Sequence, residues 1–222
     1  MMGASAYTLI EHYKDLILGQ FIIEIGSSRG EGSTDYLLKF SKQNHKKLIT
    51  VDVRPDVIDY YNNLQDNTIQ ALNDSENFIG KIDHDVCFAY LDGFDYIPPD
   101  DSINHQWMKD MIEDYKQRNP DSPDLWLTNE NSSRHHLEKT KKLLPLMSNR
   151  SIFLFDDTFV PADLKHVTWF KDAFDPSSKE YTSWHGKGAT AVPYLISLGW
   201  SVLPRIKREG RDDYVALKNF TD

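Results

Sequence analysis

Phe21-Ile22-Ile23-Glu24-Ile25-Gly26-Ser27-Ser28-Arg29-Gly30-Glu31-Gly32-Ser33-Thr34 is the stretch whose reading decides the fold. A short apolar run that breaks into glycines reads as a strand entering a tight turn. An amphipathic segment follows, with Tyr36, Leu37, Leu38 and Phe40 as its apolar residues. A second apolar run, Leu48-Ile49-Thr50-Val51, then ends on Asp52. Strand, glycine turn, helix, strand and acid make the opening half of a nucleotide-binding βαβ unit. The glycines let the backbone approach a ligand closely, and amides at the helix start face it. An acid at the tip of the second strand can accept hydrogen bonds from ribose hydroxyls.

The spacing of Gly26, Gly30 and Gly32 is G-x-x-x-G-x-G, not the G-x-G-x-x-G of dinucleotide binders. Glu24, two residues before the first glycine, would repel a phosphate and suits a cationic ligand. S-adenosylmethionine carries a sulfonium and an amino group and has no phosphate. The stretch resembles motif I of the class I S-adenosylmethionine-dependent methyltransferases, with Glu24-x-Gly26 as its core. More narrowly, Glu24-Ile25-Gly26-x-x-Arg29-Gly30 resembles the E-x-G-x-x-R-G of macrocin O-methyltransferase-like enzymes, the methyltransferase-24 group. The resemblance implies a Rossmann-like α/β fold: a seven-stranded, mostly parallel sheet with helices on both faces and an antiparallel last strand. It also implies that Glu24, Gly26, Ser27, Ser28, Arg29, Gly30, Thr34, Asp52, Val53, Asp74, Ser75 and Asp92 hold the cofactor. The family's G-D-S or G-D-A turn against the adenine is met here by Asn73-Asp74-Ser75, with asparagine in place of the glycine.

The chain's 222 residues suit one α/β domain, and its 40% hydrophobic and 27% charged residues are ordinary for a soluble globular protein. A net charge of -9 argues against a general nucleic-acid binder, which needs a basic face. Cys87 is the single cysteine, so an intrachain disulfide and a CxxC zinc site are both excluded. No apolar stretch approaches the ~20 residues of a membrane span. The start, Met1-Met2-Gly3-Ala4-Ser5, lacks the basic region and apolar core of a signal peptide. A reduced, cytoplasmic protein is the expectation, with monomer and homo-oligomer both open.

Along the chain, the pattern predicts a helix over 4–18, with Leu9, Ile10, Tyr13, Leu16 and Ile17 as its apolar face. Further strands are expected at 68–72 and at 85–91, the latter ending on Asp92-Gly93. Residues 94–130 are longer than a plain connection and rich in large side chains, so they read as an insertion capping the active site. A helix over 131–144 ends at Pro145. Its His135 and His136 diverge by about 100° and read as helix surface. A fifth strand, Ser151–Phe155, ends on Asp156-Asp157, and a helix is expected near 162–173. Another helix follows the loop Trp184-His185-Gly186-Lys187-Gly188. Two closing strands, 200–203 and 214–217, flank a charged loop over 205–213.

Three strands thus end in carboxylates. In the family's strand order Asp92, Asp156 and Asp157 converge, and three carboxylates in one cleft repel unless a cation compensates them. Oxygen-only ligation suits Mg²⁺, Mn²⁺ or Ca²⁺. Asp-Gly after one strand and Asp-Asp after the next resembles the metal triad of the macrocin O-methyltransferase-like group. A metal there would hold two vicinal hydroxyls and lower their pKa, and a base would take the proton. The family's base is the second acid of D-G-D. Phe94 stands in that place here, which leaves Asp95 as first candidate and His185 as second. The reading is an S-adenosylmethionine-dependent O-methyltransferase, assisted by a divalent metal, acting on a small hydroxylated acceptor. That acceptor is a sugar or glycosylated metabolite, with Trp107 and Trp126 as platforms. A metal-independent N- or O-methyltransferase and a non-catalytic cofactor-binding or interaction module are the alternatives.

Overall fold

A computed structural model describes residues 6–27, 32–74, 80, 82, 85–97, 101–159, 184–204 and 214–221. Ser28, Arg29, Gly30 and Ser75 lie outside these, as do the helix expected near 162–173 and the charged loop 205–213.

The first strand, β1 (Phe21–Ile25), is followed by α2 (Gly32–Gln43), β2 (Lys47–Asp52), α3 (Pro55–Asn62) and β3 (Ile69–Asn73). After β4 (Val86–Leu91) come α4 (Gln106–Arg118), α5 (Asn129–Leu143) and β5 (Met147–Phe155). A short ladder, β6 (Thr158–Phe159) with β7 (His185–Gly186), precedes α6 (Ala191–Ser197), β8 (Ser201–Val202) and β9 (Val215–Lys218). The seven-stranded sheet has the order β3-β2-β1-β4-β5-β9-β8. The first five strands in that order are mutually parallel, and β9 runs antiparallel to both β5 and β8. This is the expected Rossmann-like fold of class I methyltransferases. Strand order reverses between β1 and β4, and there the carboxyl ends of the strands open a crevice.

The sheet is buried on both faces, which explains why β4 is apolar at every position. Ile23, Ile25, Ala89, Leu91, Phe153 and Phe155 pack on one face with Leu143 of α5 and Ala191, Val192 and Leu195 of α6. Ile22, Leu48, Phe88, Tyr90, Ile152 and Leu154 pack on the other with Leu37, Leu38 and Phe40 of α2.

The amino-terminal segment departs from the expected long helix. It is a 3-10 turn, Ala6–Leu9, and one α-helical turn, α1 (Ile10–Tyr13). Leu9, Ile10 and Ile17 are buried, whereas Leu16 is exposed. The chain leaves the helix because Leu18 N–H donates to the Arg150 carbonyl and Gly19 adopts a φ of 133°. No helix among the described residues is long and apolar enough to cross a membrane.

Candidate functional site

Gly26 ends β1 with a φ of 94°, and a Cβ there would lie 2.6 Å from the Gly93 nitrogen. Glycine is therefore required where the turns after β1 and β4 meet. Ser27, the next residue, donates its N–H to Asp52 Oδ2 at 2.9 Å. Arg54 donates to Asp52 Oδ1 from its backbone at 2.8 Å and from Nε at 3.0 Å. Its Nη2 reaches the Ser27 carbonyl at 2.6 Å. Asp52, only 8% exposed, thus ties the tip of β2 to the glycine turn.

Glu24 does not reach the crevice. Strand alternation points it with Ile22 toward α2, where it is fully buried. Thr50 Oγ1 donates to Glu24 Oε2 at 2.7 Å, and Ser27 Oγ bonds Thr50 in turn. Burial pushes the Glu24 carboxyl up to about 7, against the opposing pull of the Ser33, Thr50 and Thr34 hydroxyls. Thr34, also fully buried, sits with Glu24 beneath the turn. The expectation that the Glu24 charge meets a ligand head-on is corrected: it supports the turn from below.

A cavity of about 570 Å³ opens at the switch point. Gly26, Ser27, Asp52, Val53, Asp74, Asp92 and Asp95, all candidates from the sequence, line it together. Val53 is 57% exposed, leaving an apolar side chain free at the edge of the cavity. Four carboxylates (Asp52, Asp74, Asp92 and Asp95) face two guanidiniums, of Arg54 and Arg118. Both guanidiniums are already paired, with Asp52 and Asp114 respectively. Asp74 is paired with Lys139. α4 and the residues just after it contribute Tyr115, Arg118, Asn119 and Leu125 to the wall. Tyr115 donates its hydroxyl to Asp95 Oδ2 at 2.9 Å and accepts from Asp95 N–H at 3.2 Å. Trp107 and Trp126 do not line the cavity. Trp107 is half exposed, and Trp126 Nε1 donates to the Asn119 carbonyl at 2.9 Å.

The two histidines of α5 are not helix surface, because α5 packs against the sheet and, beside it on the same face, against α6. His136 is 2% exposed, and its Nδ1 lies 2.8 Å from the Ser132 carbonyl. His135 lines the cavity edge-on to Phe94, with ring centroids 5.1 Å apart. Burial lowers its pKa to about 4, so the imidazole is neutral, and neither ring nitrogen has a hydrogen-bond partner among the described residues. His185 does not line this cavity. It pairs with Phe159 in the β6–β7 ladder.

Asp92, Asp156 and Asp157 do gather at adjacent strand ends, but the cation among them is Lys187. Its Nζ lies 2.5 Å from Asp92 Oδ1 and 3.0 Å from Asp157 Oδ2. Tyr90 donates its hydroxyl to Asp156 Oδ2 at 2.7 Å and stands 3.1 Å from Asp92 Oδ2. Burial raises the Asp156 carboxyl to about 8, and the charges of Asp92 and Asp157 add to this. Burial alone would drive Lys187 toward its neutral form, but the charges of Asp92, Asp157 and Asp156 outweigh it and raise its pKa. Among the described residues no group of three or more acids, histidines or cysteines could hold a metal ion. The acids do not fit a Mg²⁺, Mn²⁺ or Ca²⁺ site, because their facing oxygens are engaged by an ammonium and a phenol.

Sequence reasoning missed Lys187, Tyr90 and Tyr115 as members of the site, and placed His135 on the surface. For Lys187 the signal was its flanking glycines. A Cβ on Gly186 would fall 1.8 Å from the Asp157 carbonyl oxygen.

Neither a family model nor a curated protein matches the sequence. Solved structures of similar shape include a SAM dependent methyltransferase from Aquifex aeolicus, 14% identical over 96% of this chain and 87% of its own, with a TM-score of 0.48. A SAH-bound methyltransferase from Podospora anserina is 12% identical over 98% of this chain and 76% of its own, at 0.45. A methyltransferase from Pyrococcus furiosus is 10% identical over 98% and 85%, at 0.44. At these values the likeness adds nothing to the strand order, which itself defines the fold.

Proposed function

We propose that the protein is an S-adenosylmethionine-dependent methyltransferase acting on a small hydroxylated acceptor, and that it works without a divalent metal. The observation that carries this reading is the place of the cavity, which opens between the glycine turn after β1 and Asp52 at the tip of β2. Both guanidiniums of its wall are already paired with acids, so the wall offers little to a phosphate. Its position at the switch point, with Asp52 at the tip of β2, suits a ribose.

When bound, S-adenosylmethionine supplies a methyl group on a sulfonium. Asp52 and Ser27 would hold the ribose end, Val53 the base, and Asp92 with Gly26 the amino-acid end. Asp95, oriented by Tyr115, is the group on the wall that can take a proton from an acceptor hydroxyl. A non-catalytic binding module has the same cavity but predicts no turnover.

The test is transfer of tritium from methyl-labelled S-adenosylmethionine to a panel of sugars, glycosides and phenols, together with equilibrium dialysis of the labelled cofactor. Binding that is weakened by Asp52→Ala, with transfer to at least one acceptor, supports the enzyme. Binding without any transfer supports the module. Absence of binding overturns the enzyme and leaves an interaction module.

A further inference from the structure

We propose that Lys187 is the permanent counter-ion of the Asp92–Asp156–Asp157 cluster, and that it closes the cluster to divalent metal ions. The ammonium bridges Asp92 and Asp157, at 2.5 and 3.0 Å, while the Tyr90 hydroxyl caps Asp156. With 2% of its side chain exposed, Lys187 is not a surface lysine that could swing aside into water.

The backbone delivers it there rigidly. Lys187 N–H donates to the Asp157 carbonyl at 3.1 Å, and Gly188 N–H donates to Thr158 Oγ1 at 2.8 Å. Asp157 itself adopts a left-handed φ of 42°, which turns the acid tip of β5 back toward the β6–β7 ladder. Both flanking residues of Lys187 are glycines because the strap passes too close to Asp157 and Thr158 for a Cβ.

A divalent ion takes six or more oxygens at about 2.0–2.6 Å. To enter here it would have to expel the ammonium, which would then be buried without a partner. Lys187 is a positioning residue: it anchors Asp92, whose side chain and following glycine line the cavity. The inference concerns the acids alone and does not require the cavity's ligand to be S-adenosylmethionine.

The test is a Mn²⁺ titration of the full chain followed by electron paramagnetic resonance, which reads the loss of the free-ion signal. The wild type should take up no Mn²⁺ in this cluster. Lys187→Ala, which leaves the acids without their cation, should bind one equivalent, and adding Asp157→Asn should weaken that uptake by about tenfold or more. One equivalent bound by the wild type and lost in Asp156→Asn would overturn the proposal. So would equal behaviour of wild type and Lys187→Ala, whether both bind or neither does. A second measurement needs no lysine variant to fold. The wild-type melting temperature should be the same in EDTA and in Mn²⁺, and a rise with Mn²⁺ that Asp156→Asn abolishes would contradict the account.

Discussion

The two halves of the sheet's carboxyl edge solve one problem in different ways. On the β1–β2 side, Asp52 is paired with Arg54, whose side chain is 49% exposed, and with a backbone amide, and the space above stays open as the cavity. On the β4–β5 side, Asp92 and Asp157 are paired with Lys187, whose side chain is 2% exposed, while the acids themselves keep 31% and 35% of their side chains exposed. An acid compensated by a solvated guanidinium and by fixed amides remains available to a ligand. Acids compensated by a buried ammonium are held from behind, and Asp92 still presents an edge to the cavity. The comparison teaches that the burial of the partner sets how firmly a strand-tip carboxylate is held.

The largest effect should come from the closed half. Lys187→Met leaves two acids, 31% and 35% exposed, without their cation, and urea unfolding at neutral pH should show a loss of about 1–3 kcal/mol. A loss below about 1 kcal/mol, the usual worth of an exposed pair, would erase the contrast between the halves.

In the open half, Asp52→Ala should weaken S-adenosylhomocysteine binding by about 10- to 100-fold, as expected for losing charged hydrogen bonds of roughly 1.5–3 kcal/mol. Its fold should persist, as circular dichroism would show. Unchanged affinity would move the ligand elsewhere.

A third effect concerns the acid beneath the turn. Glu24 holds its proton to about 7 in the folded protein, against an ordinary value of 4.5. A raised folded pKa means that the native state binds the proton more tightly than the unfolded chain. The contribution of Glu24 is therefore full below about pH 4.5 and is lost as pH rises through 7. Unfolding free energies across that window should fall with pH in the wild type and flatten in Glu24→Gln. An equal slope in both would refute the burial argument.

The smallest effect should be on stability in Arg54→Ala, at about 1 kcal/mol or less.

Much of the fold was legible because it is written locally. The run Phe21–Ile25, the glycine break and Asp52 fix a strand, a turn and a second strand tip without distant information. The burial of Glu24 was not read from the sequence, although period-two alternation sets it with Ile22 and opposite Ile23 and Ile25. The role of Lys187 was not legible, because it meets Asp92 across 95 positions of chain, through a strap whose glycines read equally well as a surface loop. The convergence of the three acids could be inferred from strand order. The identity of their cation depended on a contact that no spacing encodes. His135 and His136 were misplaced for a similar reason. Helical periodicity separates their directions but cannot tell which sides of α5 meet the core and the cavity.

The measurement that tests the central claim most directly is calorimetric titration with S-adenosylhomocysteine, in EDTA and again with Mg²⁺. The account predicts one site with the same affinity in both solutions, since the open half binds the ligand and the closed half excludes the ion. Binding that appears only with Mg²⁺ would contradict the metal-free site. No binding in either solution would contradict the assignment of the cavity itself.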